Sequence, residues 1–431
     1  MTKSDSRQSE TATPQAEPKA EPEAENKALS FKALLVIYLP ALVLGLGAGI
    51  ALPAVPTLAK SFDVSFGVAS GVVTAHLLGN FAGTLPTGWL IDRFGRRSVM
   101  IAGPLLTSLA ALLVWLATSF SELLILRFIG GFASQMWLMG RLAAISQGAS
   151  PDQRGRQVSW MFGMDTTGML AGPLVGGLIA SVWGASAPFL AYSIIALLAL
   201  APSLIFVDTA PQPVPVVRAK PDGLKPPNPS LLVTLKELVR PRLAFFGIAM
   251  FAGLTRGPIS AGLLYLYAAF AYDLGPAEIG YLATAAAFIS WPIGFLAGWM
   301  MDRFGRKRTM IPGFGGVGLS MILMAGSAFV QSPYPMFAAI FFFAVAMQAL
   351  TGGSVQTIGA DVAPAQSRGS FLGLWRFTGQ GGAALSPIIF AIMVDQLNYG
   401  SAFLFTAAAG LMVAFLVIFR VPETGKAAEK A

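Results

Sequence analysis

The chain has no cysteine and only one histidine, His76. Disulfides, iron–sulfur clusters, thiolate zinc sites and clustered-histidine metal sites are therefore excluded. No glycine-rich loop that could cradle a phosphate appears, so neither a cofactor nor ATP-driven work is expected. Charge is scarce as well. Only 12% of the 431 residues are Asp, Glu, Lys or Arg, against roughly a quarter in a soluble domain. The net charge of +8 would suggest nucleic acid in a soluble protein. Here the position of the charges matters more than their sum, and no nucleic-acid partner is expected.

What the chain has instead is apolar length. It is 55% hydrophobic, with a mean hydropathy of +0.67. Apolar runs long enough to cross a bilayer recur along most of it. They predict an all-α membrane protein with spans at roughly 32–58, 66–91, 98–119, 121–147, 156–181, 186–207, 243–270, 276–301, 309–331, 334–360, 369–394 and 398–420. The division between the third and fourth rests on the short stretch SFSE. Residues 1–31, rich in Pro, Glu, Ala and Lys, read as a disordered tail. Residues 208–242 form a proline-rich linker, in which Leu231, Leu232, Leu235 and Leu238 predict a helix lying on the membrane surface. Residues 422–431 read as a second tail. The expected units are thus a six-helix bundle over 32–207 and another over 243–421.

Basic residues set the orientation. Lys60 alone falls in the loops on one side, and Arg127, Arg141, Arg256 and Arg376 lie within spans. Every other Lys and Arg falls in the tails, the linker or the loops on the linker side. Both termini are therefore expected in the cytoplasm, most naturally beneath a bacterial cytoplasmic membrane.

One short stretch occurs twice. Residues 88–97 read GWLIDRFGRR and residues 298–307 read GWMMDRFGRK, after the second and eighth spans. A second echo aligns the stretch from Gly155 with that from Gly369, so that Gly172-Pro173 meets Ser386-Pro387. The chain therefore reads as a duplicated six-helix unit. Parallel halves related about the membrane normal are a transporter plan, with the site between them.

These residues resemble the major facilitator superfamily over about residues 32–421. Gly88, Asp92, Arg93, Gly95, Arg96 and Arg97 resemble its loop 2–3 signature, and Gly298, Asp302, Arg303, Gly305 and Arg306, followed by Lys307, resemble the second copy. The resemblance implies a conformational latch, with Asp92 facing the N-terminus of the eleventh span near Ser367 and Ser370. The glycines suit a tight helix exit, and the arginines suit anionic headgroups. Gly168, Gly172, Pro173, Gly176 and Gly177 resemble the fifth-span signature of twelve-span proton-coupled drug antiporters. Physically, such a row lets helices approach closely. Arg127, before Gly130 and Gly131, resembles the family's embedded arginine, which implies proton coupling.

The remaining interior polar groups narrow the reading. Asp165 is the one acid expected at mid-membrane; Asp273, Asp361, Asp395 and Glu122 fall near span ends and are expected to be solvated. Four arginines against one aspartate make a positive interior, which favours an anionic, zwitterionic or neutral substrate. Arg256, Gln135, Gln348, Arg376, Gln380 and Trp291 are the candidate cavity residues, with Trp375 and Phe377 as possible aromatic walls. Asp165, Arg127 and His76 are the candidates for coupling. Arg376 and Asp165 are placed to pair as a gate, and Arg141 to reach water. His76 and Asn80 share a helix face.

The expected function is secondary active transport by rocking of the two halves, as proton-coupled export of a small organic compound. Symport or exchange of an anionic metabolite or iron chelate is the rival. A transporter-like sensor or assembly partner is the rival from another class. The expected partners are the lipid bilayer, a small-molecule substrate and protons, with the protein a monomer and not an enzyme.

Overall fold

A computed structural model describes residues 34–148, 151–206, 239, 242–364 and 368–421. The N-terminal tail, nearly all of the linker with its expected surface helix, Ser367 and residues 422–431 lie outside the described residues. The described chain is helical and contains no strand. That is the state a lipid-embedded backbone requires, since each N–H and C=O must find its partner within the segment.

After a π-helical turn at Leu34–Tyr38 come α1 (Leu39–Ala51), α2 (Ala54–Lys60), α3 (Phe66–Leu116), α4 (Phe120–Gly148), α5 (Pro151–Trp183) and α6 (Ala187–Phe206). The second half comprises α7 (Leu243–Ile259), α8 (Leu263–Ala271), α9 (Pro276–Phe304), α10 (Arg306–Phe329), α11 (Tyr334–Leu350), α12 (Ser354–Val362), α13 (Arg368–Gln396) and α14 (Tyr399–Arg420). Among the described residues, 11 helical segments are long and apolar enough to cross a membrane. One of them, α3, has 51 residues. As one straight rod it would be about 77 Å long, more than twice the ~30 Å of a hydrocarbon core, so it must break.

The break in α3 falls at Gly95, with φ 78° and ψ 164°. Gly305, between α9 and α10, has φ 96° and ψ 164°. That region of backbone space is essentially closed to any residue with a Cβ. The repeated glycine of the two signatures is thus a repeated chain reversal. By contrast, Gly88 and Gly298 have nothing within 4 Å of where a Cβ would sit, so packing does not require them in this conformation.

Three expected spans are discontinuous. The first kinks at Leu52-Pro53, the seventh breaks at Ser260–Gly262, and the tenth breaks at Thr351–Gly353. Gly262 (φ 100°) and Gly353 (φ 74°) take the left-handed turn at the latter two. The narrow SFSE separation is real. Ser119 Oγ accepts from the Glu122 amide at 3.2 Å, and Glu122 Oε2 accepts from the Thr118 and Ser119 amides at 2.9 and 3.2 Å. This reciprocal cap starts α4.

Glycine rows bring the helices of each half together. A Cβ on Gly172 would lie 2.6 Å from Gly49 Cα, and one on Gly168 2.7 Å from the Leu46 amide nitrogen. Gly176 meets the Ile50 backbone in the same seam. Gly177 serves a different contact, between halves. Its added Cβ would be 2.7 Å from the Pro276 carbonyl oxygen, and the Pro173 carbonyl abuts Gly280. The main buried cluster draws on both halves, with Phe66 and Val72 from one and Leu263, Tyr267 and Phe403 from the other.

Candidate functional site

The polar contacts that join the halves lie at the end opposite the two signatures. Lys60, at the end of α2, donates to the Ala269 carbonyl at 2.8 Å and forms an ion pair with Asp273 beyond α8. Lys60 holds the Asp273 carboxyl below the usual carboxylate range, through their hydrogen bond and then their charges. Asp395, at the end of α13, accepts from the Gly67 amide at 3.0 Å and from Ser65 Oγ at 3.1 Å. Its charge therefore sits on the N-terminus of α3, where an anion is stabilised by the exposed amides. Phe66 packs on Phe270, Phe390 and Tyr399, with ring centroids at 5.7, 6.1 and 5.1 Å.

These acids are exposed, as expected, but they are also engaged in contacts. They do stand at span ends, but Asp273 and Asp395 bridge the halves, and Asp361 pairs with Arg306. Lys60 was the one visible signal, as the lone basic residue on its side.

Towards the signatures the described groups lie more open. Phe81 and Phe377 still touch, with centroids 4.8 Å apart. Beyond them Asp92 and Asp302 are exposed. Gly163, Gly294, Gly373 and Gly381 face open space. The partner expected for Asp92 involves Ser367 and the side chain of Ser370, which lie outside the described residues.

Around each reversal the same contacts recur. Arg93 stacks over Trp89 and Phe94, both at 5.7 Å; Arg303 stacks over Trp299 and Phe304 at 5.5 and 5.9 Å. Arg97 donates to the Leu204 carbonyl at 3.2 Å, and Lys307 to that of Ile418 at 2.7 Å. Each signature thereby places a cation on the C-terminal turn of the last helix of its own half, where the free carbonyls favour positive charge.

The interior of the N-terminal half is ionisable. Arg141 does not reach water: it is 4% exposed, lies 4.6 Å over the Trp137 ring, and places Nη2 3.9 Å from Asp165 Oδ1. The expected Arg376–Asp165 gate is therefore not formed. Arg376 is exposed, one helix face away from the seam, and Arg141 holds the acid. Tyr192 of α6, which carried no signal in the sequence, lines one small cavity with His76 and Arg127. Thr107 opens onto it too, and it suits a water-sized guest. Arg127 Nε and His76 Nδ1 are buried without protein partners. Arg127 Nε is a donor, and a water in the cavity could accept from it.

The C-terminal half holds no acid at this depth. Arg256 occupies the last turn of α7, just before the break at Ser260–Gly262, and enters none of the ion pairs among the described residues. Gln348 donates to Thr351 Oγ1 at 3.1 Å across the tenth-span break, leaving its Oε1 unpartnered. Gln380 is half-buried. Trp291 is 44% exposed against Phe295. Gln135 is buried against Gly83, with Nε2 unpartnered. Trp375 is a core residue between Phe246 and Phe371, not a cavity wall.

Two pseudo-equivalent bundles, with duplicated reversals at Gly95 and Gly305, match the Major Facilitator Superfamily over residues 37–260 and 244–431. The chain belongs to that superfamily of membrane transporters and is not an enzyme. It is 24% identical to the tetracycline resistance protein, class H, of Pasteurella multocida over 402 residues, covering 90% of this chain and 95% of that protein. It is 26% identical to a probable nitrate/nitrite transporter, NarK2, of Mycobacterium tuberculosis over 347 residues, 79% of this chain and 83% of that one. Similarity to multidrug resistance protein 2 of Bacillus subtilis is 28% over 162 residues, 38% of this chain, and spans only 40% of that relative. In fold it is similar to a D-xylose-proton symporter, with a TM-score of 0.71 at 20% identity over 92% of this chain and 98% of that one.

Proposed function

We propose that the chain is a proton-coupled exporter of a small organic compound, with twelve spans, both termini in the cytoplasm, and alternating access between two rocking bundles. Twelve follows from counting the two limbs of α3 separately at Gly95. The bacterial cytoplasmic membrane is the natural location, with the protein a monomer. The observation that carries the reading is the one-ended contact between halves: bridged near Lys60 and Asp395, more open near Asp92 and Asp302. A site between such bundles faces one side at a time. With the basic end in the cytoplasm, this conformation opens inward, and Asp92 and Asp302 are the residues that latch the other one.

Asp165, Arg127 and His76 are the coupling groups, and Arg141 tunes Asp165 by its charge. Arg256, Gln135, Gln348, Arg376, Gln380 and Trp291 contribute to the cavity. The similarities to drug-resistance proteins support export.

A second reading, carriage of an anionic metabolite, is favoured by one observation. Arg256 has no acid partner within a half that contains none at that depth. Proteoliposomes with a trapped pH dye separate the two. We expect lipophilic cations or neutral compounds to drive proton movement, abolished by Asp165→Asn. Proton movement with organic anions alone, lost in Arg256→Ala, would establish the anion carrier instead.

A further inference from the structure

In the α3–α13 pair a single carboxylate closes the end opposite the signatures. α3 runs from that end and α13 runs towards it, so the N-terminus of α3 lies beside the C-terminus of α13. Asp395 spans the gap: one carboxylate oxygen takes the Gly67 amide at 3.0 Å, the other takes Ser65 Oγ at 3.1 Å. Ser65 also caps α3 itself, accepting from the Val68 amide at 3.3 Å. Gly67 is required for the approach. A Cβ there would lie 2.7 Å from Asp395 Oδ1 and closer still to the rest of the carboxyl group. Hydrogen bonds from amides to an ionised acid are among the stronger kind. These tie helices of opposite halves that have no covalent link nearby.

We propose that Asp395 is a gating residue of the transport cycle. It shuts the end of the pathway opposite the signatures by capping α3 from the other half, and it must let go for the site to face that side. At the opposite end stand Asp92, near the close of the first limb of α3, and the start of α13. The pair therefore offers a carboxylate cap at each end, and rocking engages one as it frees the other. This rests on the alternating-access reading given above.

The test exploits the absence of native cysteine. Ala268, fully buried beneath the closed end, is replaced by cysteine in the full-length chain, and its rate of maleimide labelling is followed in lipid nanodiscs by mass. Gly67→Ala and Asp395→Ala are each expected to raise that rate about tenfold or more, the loss of one charge-assisted hydrogen bond or two. Combining them should add nothing further, because both remove the same contact. Gly67→Ala is the decisive variant, since alanine suits a helix's first turn and leaves the acid in place. Asp92→Asn should move the rate the opposite way. Unchanged labelling in Gly67→Ala, or a double variant whose effects multiply, overturns the proposal. Transport of the same variants in vesicles separates the two levels. A parent protein that transports but shows no labelling response sinks the gate alone. A labelling response without saturable transport by the parent sustains the gate and sinks the reading beneath it.

Discussion

In the N-terminal half Gly45 of α1 meets the Asp165 backbone of α5, Gly49 meets Gly172, and Gly168 meets the Leu42 and Leu46 backbone; in the C-terminal half Gly253 and Gly257 of α7 meet Gly382 and Ser386 of α13. The seams are superimposable in sequence but made differently. The first is backbone on backbone throughout. In the second, Ser386 Oγ donates to the Leu254 carbonyl at 2.5 Å, putting a hydroxyl where its counterpart has only hydrogen. The chemistry divides along the same line. His76, Arg127, Arg141, Asp165 and Tyr192 crowd the first half, whereas the second keeps Arg256 and Arg376 without an acid at that depth. The reversals and seams recur in both halves while the interiors differ, and on the proposed function that difference would divide proton handling from cargo contact.

The seams give the largest expected effect. Gly172→Val forces a branched side chain against Gly49 Cα, backbone that cannot move without parting α1 from α5. A loss of about 3 kcal/mol or more is expected, seen as failure to elute as a monodisperse species. Ser386→Ala removes one interhelical hydrogen bond, worth roughly 0.6 kcal/mol in a membrane, and should barely move the thermal midpoint. Equal losses would break the comparison between the two seams.

The division of labour predicts a split in kinetics. Asp165→Asn should abolish proton movement while leaving exchange of labelled substrate intact. Arg256→Ala should raise KM for any anionic substrate about tenfold to a hundredfold, the worth of a hydrogen bond to a charged group, with the proton-to-substrate ratio unchanged. Tyr192→Phe removes only a hydroxyl from the cavity it shares with Arg127. It should slow coupled transport by roughly threefold to tenfold and sparing exchange would mark it as part of the coupling group. If Arg256→Ala alters proton stoichiometry, the halves are not separate in function.

The smallest effect belongs to Lys60–Asp273. Asp273 is almost fully exposed and Lys60 partly so, and the pair therefore adds little to stability. Its pH dependence is nevertheless fixed in sign. Asp273 is held below its ordinary range of ~3.9, so whatever it contributes is complete above that range and lost only as pH falls beneath it. Once corrected for the thiol's own rise in reactivity with pH, labelling of the buried cysteine should be flat between roughly pH 5 and 8. A rise within that window that Asp273→Asn abolishes would contradict the assignment.

Much of this plan could be read before any coordinates. Apolar runs gave the helices, and the doubled GW–DRFGR stretch marked the two chain reversals. The site was legible only in part, because contacts between spans depend on how each helix is rotated, which a hydropathy pattern does not specify when all faces are apolar. That is why Asp165 could be singled out while its partner, Arg141, could not. Asp395 was visible as an acid at a span end, yet nothing local marks it as the cap of a helix more than three hundred residues away in the chain. Tyr192 left no trace, since a tyrosine in an apolar run is ordinary core.

The break at Thr351–Gly353 has no counterpart in α4, which runs unbroken from Phe120 to Gly148. One jaw is therefore a solid block and the other has a knuckle. The block can only tilt. The knuckled jaw can also fold its lower phalanx, Ser354–Val362, which carries Asp361 and through it the Arg306 end of the second signature. Those nine residues hang from α11 by a turn at Gly353 instead of by continuous helix, so their direction is set separately from the rest of the span.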